Sequence, residues 1–422
     1  DDRRWMTAAL ALARRAVGRV APNPAVAALL VRDGRLLARG ITARGGRPHA
    51  EAVALADAAA RHVPVAGATA YVTLEPCAHH GRTPPCADAL AAAGIARVVC
   101  PIEDPDPRVS GRGFEALRRM GVEVVTGLCA GSAESVNAGF LSRVRRGRPF
   151  VTLKLASTLD GRIATATGES RWITGPAARR RVHLMRMQAD AVLVGAGTAR
   201  ADDPMLDVRG FGTGVSHPLR AVADPRLSLD PTSRLVQTAR TQPLLIAYRD
   251  DLVGEDPGAQ ARIATMKGLG VDLLPVPTAL AASTGAGTSE PAHVPTVSRD
   301  HGPLDDAPAH PASILQGQRS GGGEVASGAL DLRALLEGMA ARGVGGVLVE
   351  GGGALAAALI AGGFVDRLVM FSAGAIIGSD GHPAVGGLGL EQLAAAPRFR
   401  RTALSIEGSD VMSVWEPLPP GA

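Results

Sequence analysis

The chain has 422 residues, 46% hydrophobic and 20% charged, proportions that exclude wholesale disorder and set a prior of two to three domains. Aromatic residues are only 3%, so Ala, Val and Leu must fill the core, and a nucleic-acid surface built from stacked rings is excluded. A net charge of +5 gives no dominant basic field and suits a phosphorylated small molecule at least as well as a polymer.

The N-terminus imitates a secretory signal, with Arg3-Arg4, an apolar stretch and Ala11-Leu12-Ala13. Arg14-Arg15 follow at once, and Leu10, Ala13 and Val17 recur at helical spacing, so residues 3–17 are expected to form an amphipathic first helix. Alternation then predicts strands at 26–31 and 36–41, a helix at 49–61 and a strand at 69–74. A helix at 86–93, a strand at 97–102, a helix at 113–120, a strand at 122–126 and a helix at 133–145 follow. The later strands are expected to pair in parallel.

The arginine run at 143–148, closed by Pro149, reads as a basic hinge, which gives a first domain at 1–146 and a second at 147–422. In the second, strands are expected at 150–156, 191–194, 219–223, 244–248, 271–275, 346–350 and 368–371, with helices at 176–188 and 330–342 among those between them. Residues 277–323 turn to Pro, Gly, Ser, Thr and His without period and read as a mobile insertion. Four cysteines make no disulfide framework, and no apolar run reaches the ~18 residues of a membrane span. A cytoplasmic protein is expected.

The strongest chemical signal is His49-Ala50-Glu51 opening a helix, Glu75-Pro76-Cys77 after a strand, and Pro85-Cys86 opening another helix. One imidazole and two thiols can converge on a tetrahedral zinc and leave its fourth position to water. A helix start favours the Cys86 thiolate, and Glu51 stands close enough to move the water's proton. Zinc lowers the pKa of such a water towards about 7, supplying hydroxide for attack on an amidine-like ring carbon. His-x-Glu followed by Pro-Cys is the zinc deaminase signature. The competing reading is a closed structural zinc with His79 or His80 as fourth ligand, which leaves Glu51 without work. Cys100, in an apolar strand, and Cys129, at a turn, read as packing thiols.

The second half lacks G-x-G-x-x-G with an acidic residue about 20 positions on. It has instead two glycine turns after strands, Gly195-Ala196-Gly197-Thr198 and Glu350-Gly351-Gly352-Gly353, the latter before an expected helix at 354–361. Backbone amides there can hold a phosphate, although each turn alone reads more readily as an ordinary helix-entry glycine. Only Lys154 and Lys267 are lysines. In its strand Lys154 falls on the face opposite Val151, Leu153 and Leu155, and a lysine there in an arginine-rich chain points to a need for a compact ammonium. A snorkelling edge lysine is the alternative.

Residues 71–86 (YVTLEPCAHHGRTPPC) place eight residues between the two cysteines, where most zinc deaminases place two. With Pro22-Asn23-Pro24, Asp104-Pro105-Asp106-Pro107 and Gly111-Arg112-Gly113, they resemble the deaminase half of the bifunctional riboflavin-biosynthesis deaminase–reductase family. Ala27 and Ala54 stand where that family often has Gly and His. Lys154 through Leu159-Asp160-Gly161-Arg162, residues 168–174 (GESRWIT) and Ala201-Asp202-Asp203-Pro204 are similar to its reductase half.

The resemblance implies an α/β chain, with an N-terminal cytidine-deaminase-like three-layer domain and a C-terminal dihydrofolate-reductase-like domain. It implies Zn2+ on His49, Cys77 and Cys86, Glu51 as proton shuttle, and Asn23 against the pyrimidine. It puts NADPH against Ala156, Trp172, Thr198, Asp202 and the turn Gly352, Gly353, Ala354, Leu355, Ala356, Ala357 and Ala358; Trp172 could equally be a core aromatic. It puts the sugar-phosphate substrate against Ser170, Arg186, Leu206, Arg209 and Glu350. Both arginines suit a phosphate, and Glu350 can accept ribose hydroxyls.

The implied function is hydrolytic deamination of 2,5-diamino-6-(5-phosphoribosylamino)pyrimidin-4-one, then NADPH-dependent reduction of the ribosyl group to ribityl, with Lys154 or Asp202 polarising or protonating the sugar. A homo-oligomer, dimer or tetramer, associated through the reductase halves is implied too, with neither nucleic acid nor membrane as partner. Two rivals are an RNA deaminase, which leaves the second half unexplained, and a nucleotide-binding protein on an inactive scaffold, which leaves the intact His49, Glu51, Cys77 and Cys86 set unexplained.

Overall fold

The computed structural model describes residues 1–78, 84–212, 214–279 and 328–419. In the first half α1 (Asp2–Ala13) is followed by β1 (Ala27–Arg32), β2 (Arg35–Ile41), α2 (Ala50–Ala60), β3 (Thr69–Val72), α3 (Cys86–Ala92), β4 (Arg97–Cys100), α4 (Arg112–Arg119), β5 (Glu123–Thr126), α5 (Ala130–Val136) and α6 (Ala138–Arg146). The strands form one sheet in the order β2-β1-β3-β4-β5. β1 pairs antiparallel with β2 and β3, whereas β3, β4 and β5 are parallel.

Strand alternation sorts the core into two layers. Ala28, Leu30, Val72 and Val98 face α2, α3 and α4, while Ala27, Leu29, Val31 and Val99 face α1 and α5. The sheet thus lies between two helix layers. In α1, Met6, Ala9, Leu10 and Ala13 are buried at i, i+3, i+4 and i+7, the stripe an amphipathic helix buries. The first helix ends at Ala13 rather than at residue 17.

The helix expected at 133–145 is two helices. Asn137 breaks it, at φ −102° and ψ 18°, because its Oδ1 accepts from Ala25 N at 2.8 Å and holds the helix to the strand entrance; short amide side chains compete with the helix in this way. Cys100 is fully buried, donating to Ile102 O, and Cys129 packs beside α1 and α5.

The second half runs β6 (Phe150–Thr158), β7 (Arg162–Ala164), α7 (Pro176–Met187), β8 (Ala191–Gly195), α8 (Ala196–Asp202), β9 (Leu219–Ala223), α9 (Arg234–Gln237), β10 (Leu244–Arg249), α10 (Leu252–Glu255), α11 (Ala259–Gly268) and β11 (Asp272–Val276). It continues with α12 (Leu332–Ala341), β12 (Gly346–Glu350), α13 (Gly353–Ala361), β13 (Arg367–Ala373), β14 (His382–Pro383), β15 (Phe399–Glu407) and β16 (Asp410–Pro417). Its main sheet has the order β11-β10-β9-β8-β12-β6-β13-β16-β15. Pairing is parallel from β11 through β13 and antiparallel at β16 and β15.

β12, late in the chain, fills the gap between β8 and β6. A reversal of strand order of this kind is where α/β sheets bind ligands, at the strands' C-terminal ends. The closing hairpin of β15 and β16 was not expected from the sequence, and β15 is mostly exposed. Of the expected insertion at 277–323, all but 277–279 lies outside the described residues. The segments flanking it meet, with Ala279 N donating to Ala329 O at 2.7 Å.

The basic run at 143–148 is not a free hinge. Arg146 and Arg148 both pair with the half-buried Asp366 at 2.7 Å, and Asp366 also accepts from Val151 N at 2.8 Å. Arg143 donates to Pro22 O at 2.8 Å. Of these contacts the Arg146–Asp366 pair joins the two halves, while Arg143 and Arg148 each pin the run to their own half.

Candidate active sites

His49 is the N-cap of α2, extended at φ −70° and ψ 160°. Glu51 lies in the first turn, 3% exposed. Cys86 opens α3, and its backbone N–H donates to the Cys77 sulfur at 3.4 Å. The three expected ligands converge: His49 Nδ1 lies 3.6 Å from Cys77 Sγ and 3.4 Å from Cys86 Sγ.

A tetrahedral zinc, with bonds of about 2.3 Å to sulfur and about 2.0 Å to nitrogen, has S···N edges of about 3.5 Å. The donor set fits zinc. Among the described residues no fourth His, Cys, Asp or Glu joins this cluster; His79 and His80 lie outside them.

The electrostatics follow from burial at close quarters. Hydrogen bonding from Cys86, helped by His49, brings the Cys77 thiol down to about 4. That preference for a thiolate at Cys77 raises His49 and pushes the neighbouring Cys86 thiol up, opposite to the thiolate expected at Cys86 from its helix start. Burial pushes the Glu51 carboxyl up to about 7. A carboxyl with that value both takes and gives a proton near neutrality, as a shuttle must.

Glu75, quoted in the motif without a role, turns out to be a backbone anchor. Its carboxylate accepts from Asp104 N and Gly111 N at 3.0 Å, Gly113 N at 2.8 Å and Phe114 N at 3.3 Å. It thereby fixes the segment at 104–114 against Pro76 and Cys77. An acid two residues before a metal ligand was the only cue in the sequence, and it does not tell an anchor from a surface charge. Asn23 packs its amide against Gly46, whose backbone leaves no room for a Cβ there.

In the second half β8 and β12 end side by side, and α8 and α13 start at those ends. Thr198 Oγ1 accepts from Gly352 N at 3.1 Å, so the two glycine turns form one cradle. A Cβ on Gly353 would meet Pro383 O at 2.7 Å. Paired helix starts with bare backbone fit the phosphates of a dinucleotide. In the turn from Gly352 to Ala358, Ala356 and Ala357 point into the core whereas Ala354 and Ala358 point outwards. Trp172 is 70% exposed with the Arg179 guanidinium 4.4 Å from its ring. The core reading of Trp172 is therefore wrong: its ring faces solvent as a stacking surface. Arg171 donates to Asp202 O at 3.0 Å, at the end of α8.

Lys154 and Glu350 are register partners on β6 and β12. Arg186 grips Glu350 with two bonds, Nε to Oε1 at 2.6 Å and Nη2 to Oε2 at 3.0 Å, and gives Nη1 to Asp207 O at 3.0 Å. Burial lowers the Lys154 ammonium, partly offset by Glu350. Burial alone would raise Glu350, but Arg186 and Lys154 outweigh it and hold the carboxyl low.

Ser170 and Ala156 are half-buried. Leu206 is 3% exposed within the core, at φ +51°. Arg209 is exposed and pairs with Asp207 at 3.2 Å. Sequence reasoning missed His183, whose Nδ1 accepts from Arg209 N at 3.3 Å. It stands three residues before Arg186, on the same face of α7.

Comparison with known proteins agrees with this geometry. Residues 1–102 match the cytidine and deoxycytidylate deaminase zinc-binding region, and residues 149–273 and 306–412 match the RibD C-terminal domain. The riboflavin biosynthesis protein RibD of Escherichia coli is 37% identical, over 97% of this chain and 98% of that protein. That of Actinobacillus pleuropneumoniae is 34% identical, over 97% and 94%.

Among solved structures, RibD of Acinetobacter baumannii superposes with a TM-score of 0.77 at 31% identity, covering 99% of each chain. A diaminohydroxyphosphoribosylaminopyrimidine deaminase/5-amino-6-(5-phosphoribosylamino)uracil reductase from Thermotoga maritima superposes with a TM-score of 0.75 at 29% identity, also covering 99% of each chain. Among the described residues no helix is long and apolar enough to cross a membrane. This chain belongs to the RibD family, a zinc-dependent deaminase joined to an NADPH-dependent reductase of riboflavin biosynthesis.

Proposed function

We propose that the first domain, 1–146, deaminates 2,5-diamino-6-(5-phosphoribosylamino)pyrimidin-4-one and that the second, 147–422, reduces its ribosyl group, giving 5-amino-6-(5-phosphoribitylamino)uracil. The observation that carries the first step is the convergence of His49, Cys77 and Cys86 beside a buried Glu51. Zinc on those three residues supplies a Lewis-acidic position at which a water ionises near neutral pH. Glu51 takes the proton of the attacking water on its carboxylate and hands it to the departing amine, which leaves as ammonia. Asn23 holds the pyrimidine. Glu75 keeps the Cys77 turn in place.

For the second step NADPH, when bound, would supply the hydride, and C1′ of the opened, imine-like sugar is its acceptor. Thr198, Asp202, Ala156, Trp172 and the turn from Gly352 to Ala358 hold the cofactor. Ser170, Leu206, Arg209, Arg186 and Glu350 hold the sugar phosphate. Lys154 brings a proton to the imine nitrogen, which balances the hydride at C1′. Its buried ammonium beside Glu350 supports it over Asp202, whose backbone is engaged by Arg171 at the outer end of α8.

The chain works in the cytoplasm as a homo-oligomer, dimer or tetramer, joined through its reductase halves. The free edge of β15 supports this: Leu404 is 58% and Ile406 81% exposed. The strand carries Arg400 and Arg401 at one end and Glu407 at the other, so two copies running antiparallel bring opposite charges together.

Removing zinc tests the division of labour. A chelated sample is expected to lose ammonia release yet keep oxidising NADPH when supplied with the already deaminated compound. Loss of both activities on chelation, in protein that remains folded, would contradict it.

A further inference from the structure

Asp160, in the turn between β6 and β7, takes no part in the sites described above, yet it organises a segment that reaches one of them. Its carboxylate receives Ile377 N at 3.3 Å and Gly378 N at 2.7 Å, more than 200 residues away in the chain, and Thr158 Oγ1 at 2.5 Å. Thr158 Oγ1 in turn accepts from Arg162 N at 2.9 Å, which fixes the turn itself. Two successive N–H groups converging on one carboxylate are a strong, directional anchor. Gly378 adopts φ +103° to present its N–H.

From this anchor, residues 375–386 run as a strap over β7 to the first turn of α13. Ala375 O accepts from Leu159 N at 2.9 Å, and Ala384 N donates to Gly161 O at 2.9 Å. His382 pairs with Ala164. Where the strap crosses β7 it uses Gly381, because a Cβ there would meet Ala164 O at 2.9 Å. At its far end Gly386 N donates to Gly353 O at 2.9 Å, on the helix start that forms half of the phosphate cradle.

We infer that Asp160 is a positioning residue for the dinucleotide: it pins the strap that braces the α13 half of the cradle, and so sets the affinity for NADPH without touching it. The inference rests on the assignment of the turn from Gly352 to Ala358 to NADPH. In Asp160→Ala the strap loses its anchor while every group facing cofactor and sugar phosphate remains.

The experiment is steady-state reduction of the deaminated substrate by the full-length chain, with Asp160→Ala, Asp160→Asn and Thr198→Val compared with wild type. Losing charge-assisted bonds is expected to raise KM for NADPH on the order of ten-fold in Asp160→Ala. The kcat at saturating NADPH, the KM for the pyrimidine and the ammonia release should stay near wild type, a split that general unfolding of the reductase half would not give. Asp160→Asn, which keeps one acceptor oxygen, should recover part of the loss. An unchanged KM for NADPH in Asp160→Ala, with a raised one in Thr198→Val, would overturn the role of the strap. Unchanged values in both would overturn the nucleotide assignment and the inference with it.

Discussion

Glu51 and Lys154 are both ionisable groups drawn out of water, and burial moves them in opposite directions. It pushes the Glu51 carboxyl up to about 7 and lowers the Lys154 ammonium. Each is thereby brought towards the range where a side chain exchanges protons in turnover. Glu51→Gln keeps the shape and removes the proton carrier, so ammonia release is expected to fall by roughly 10²–10⁴-fold. NADPH oxidation with the deaminated compound should be unchanged; a variant releasing ammonia at the full rate would exclude Glu51 as the shuttle.

At this scale the first site was legible in the sequence because its ligands lie in short motifs, His49 and Cys86 at the starts of helices and Cys77 shortly after a strand. Glu75 and His183 were not, because what matters about them is spatial. Glu75 collects N–H groups from 29 to 39 residues onward, and His183 meets Arg209 across 26 residues. Trp172 was undecidable from sequence, since an aromatic in a loop reads alike whether its ring turns in or out.

Among the elements, α1 is held by charge as well as by its apolar stripe. Asp2 accepts two hydrogen bonds from Arg97 on β4, at 3.0 and 2.8 Å, and one from Tyr71 on β3 at 2.7 Å. These partners hold its carboxyl down to about 2, below the ordinary 3.8. The folded chain therefore binds that proton less tightly than the unfolded chain. The contribution is fully present above pH 3.8 and disappears as pH falls from 3.8 towards 2. Denaturant titrations of wild type and Asp2→Asn should differ at pH 6 and converge at the acid end of that window. Curves that stay parallel throughout would mean that the pairing adds nothing.

Most strands and helices were legible because burial follows period. β6 alternates half-buried and buried residues, as its sequence pattern predicts. The broken helix at Asn137 and the final hairpin were not. Asn137 acts through Ala25, over a hundred residues earlier, and β15 shows few buried positions from which a period could be read.

The whole molecule combines two main sheets whose order of chemistry matches the order of the chain. Asp366 holds the end of the first half through Arg146 and the start of the second through Arg148, so the link that composition suggested as a hinge is engaged along its length. The mostly exposed β15 gives the assembly its own test. Ile406→Glu places a charge on the free edge and is expected to shift sedimentation towards the single chain without altering ammonia release. Sedimentation identical to wild type would mean that association uses another surface.

The central claim is that one chain performs a hydrolytic and then a reductive step on one phosphorylated pyrimidine. A coupled assay with the diamino-pyrimidine ribosyl phosphate, following ammonia with and without NADPH, tests it most directly. Ammonia release is expected in the absence of NADPH, and substrate-dependent NADPH oxidation once the cofactor is added. Zinc-loaded, folded protein that yields neither signal would contradict the substrate; ammonia without NADPH oxidation would contradict the reductase half.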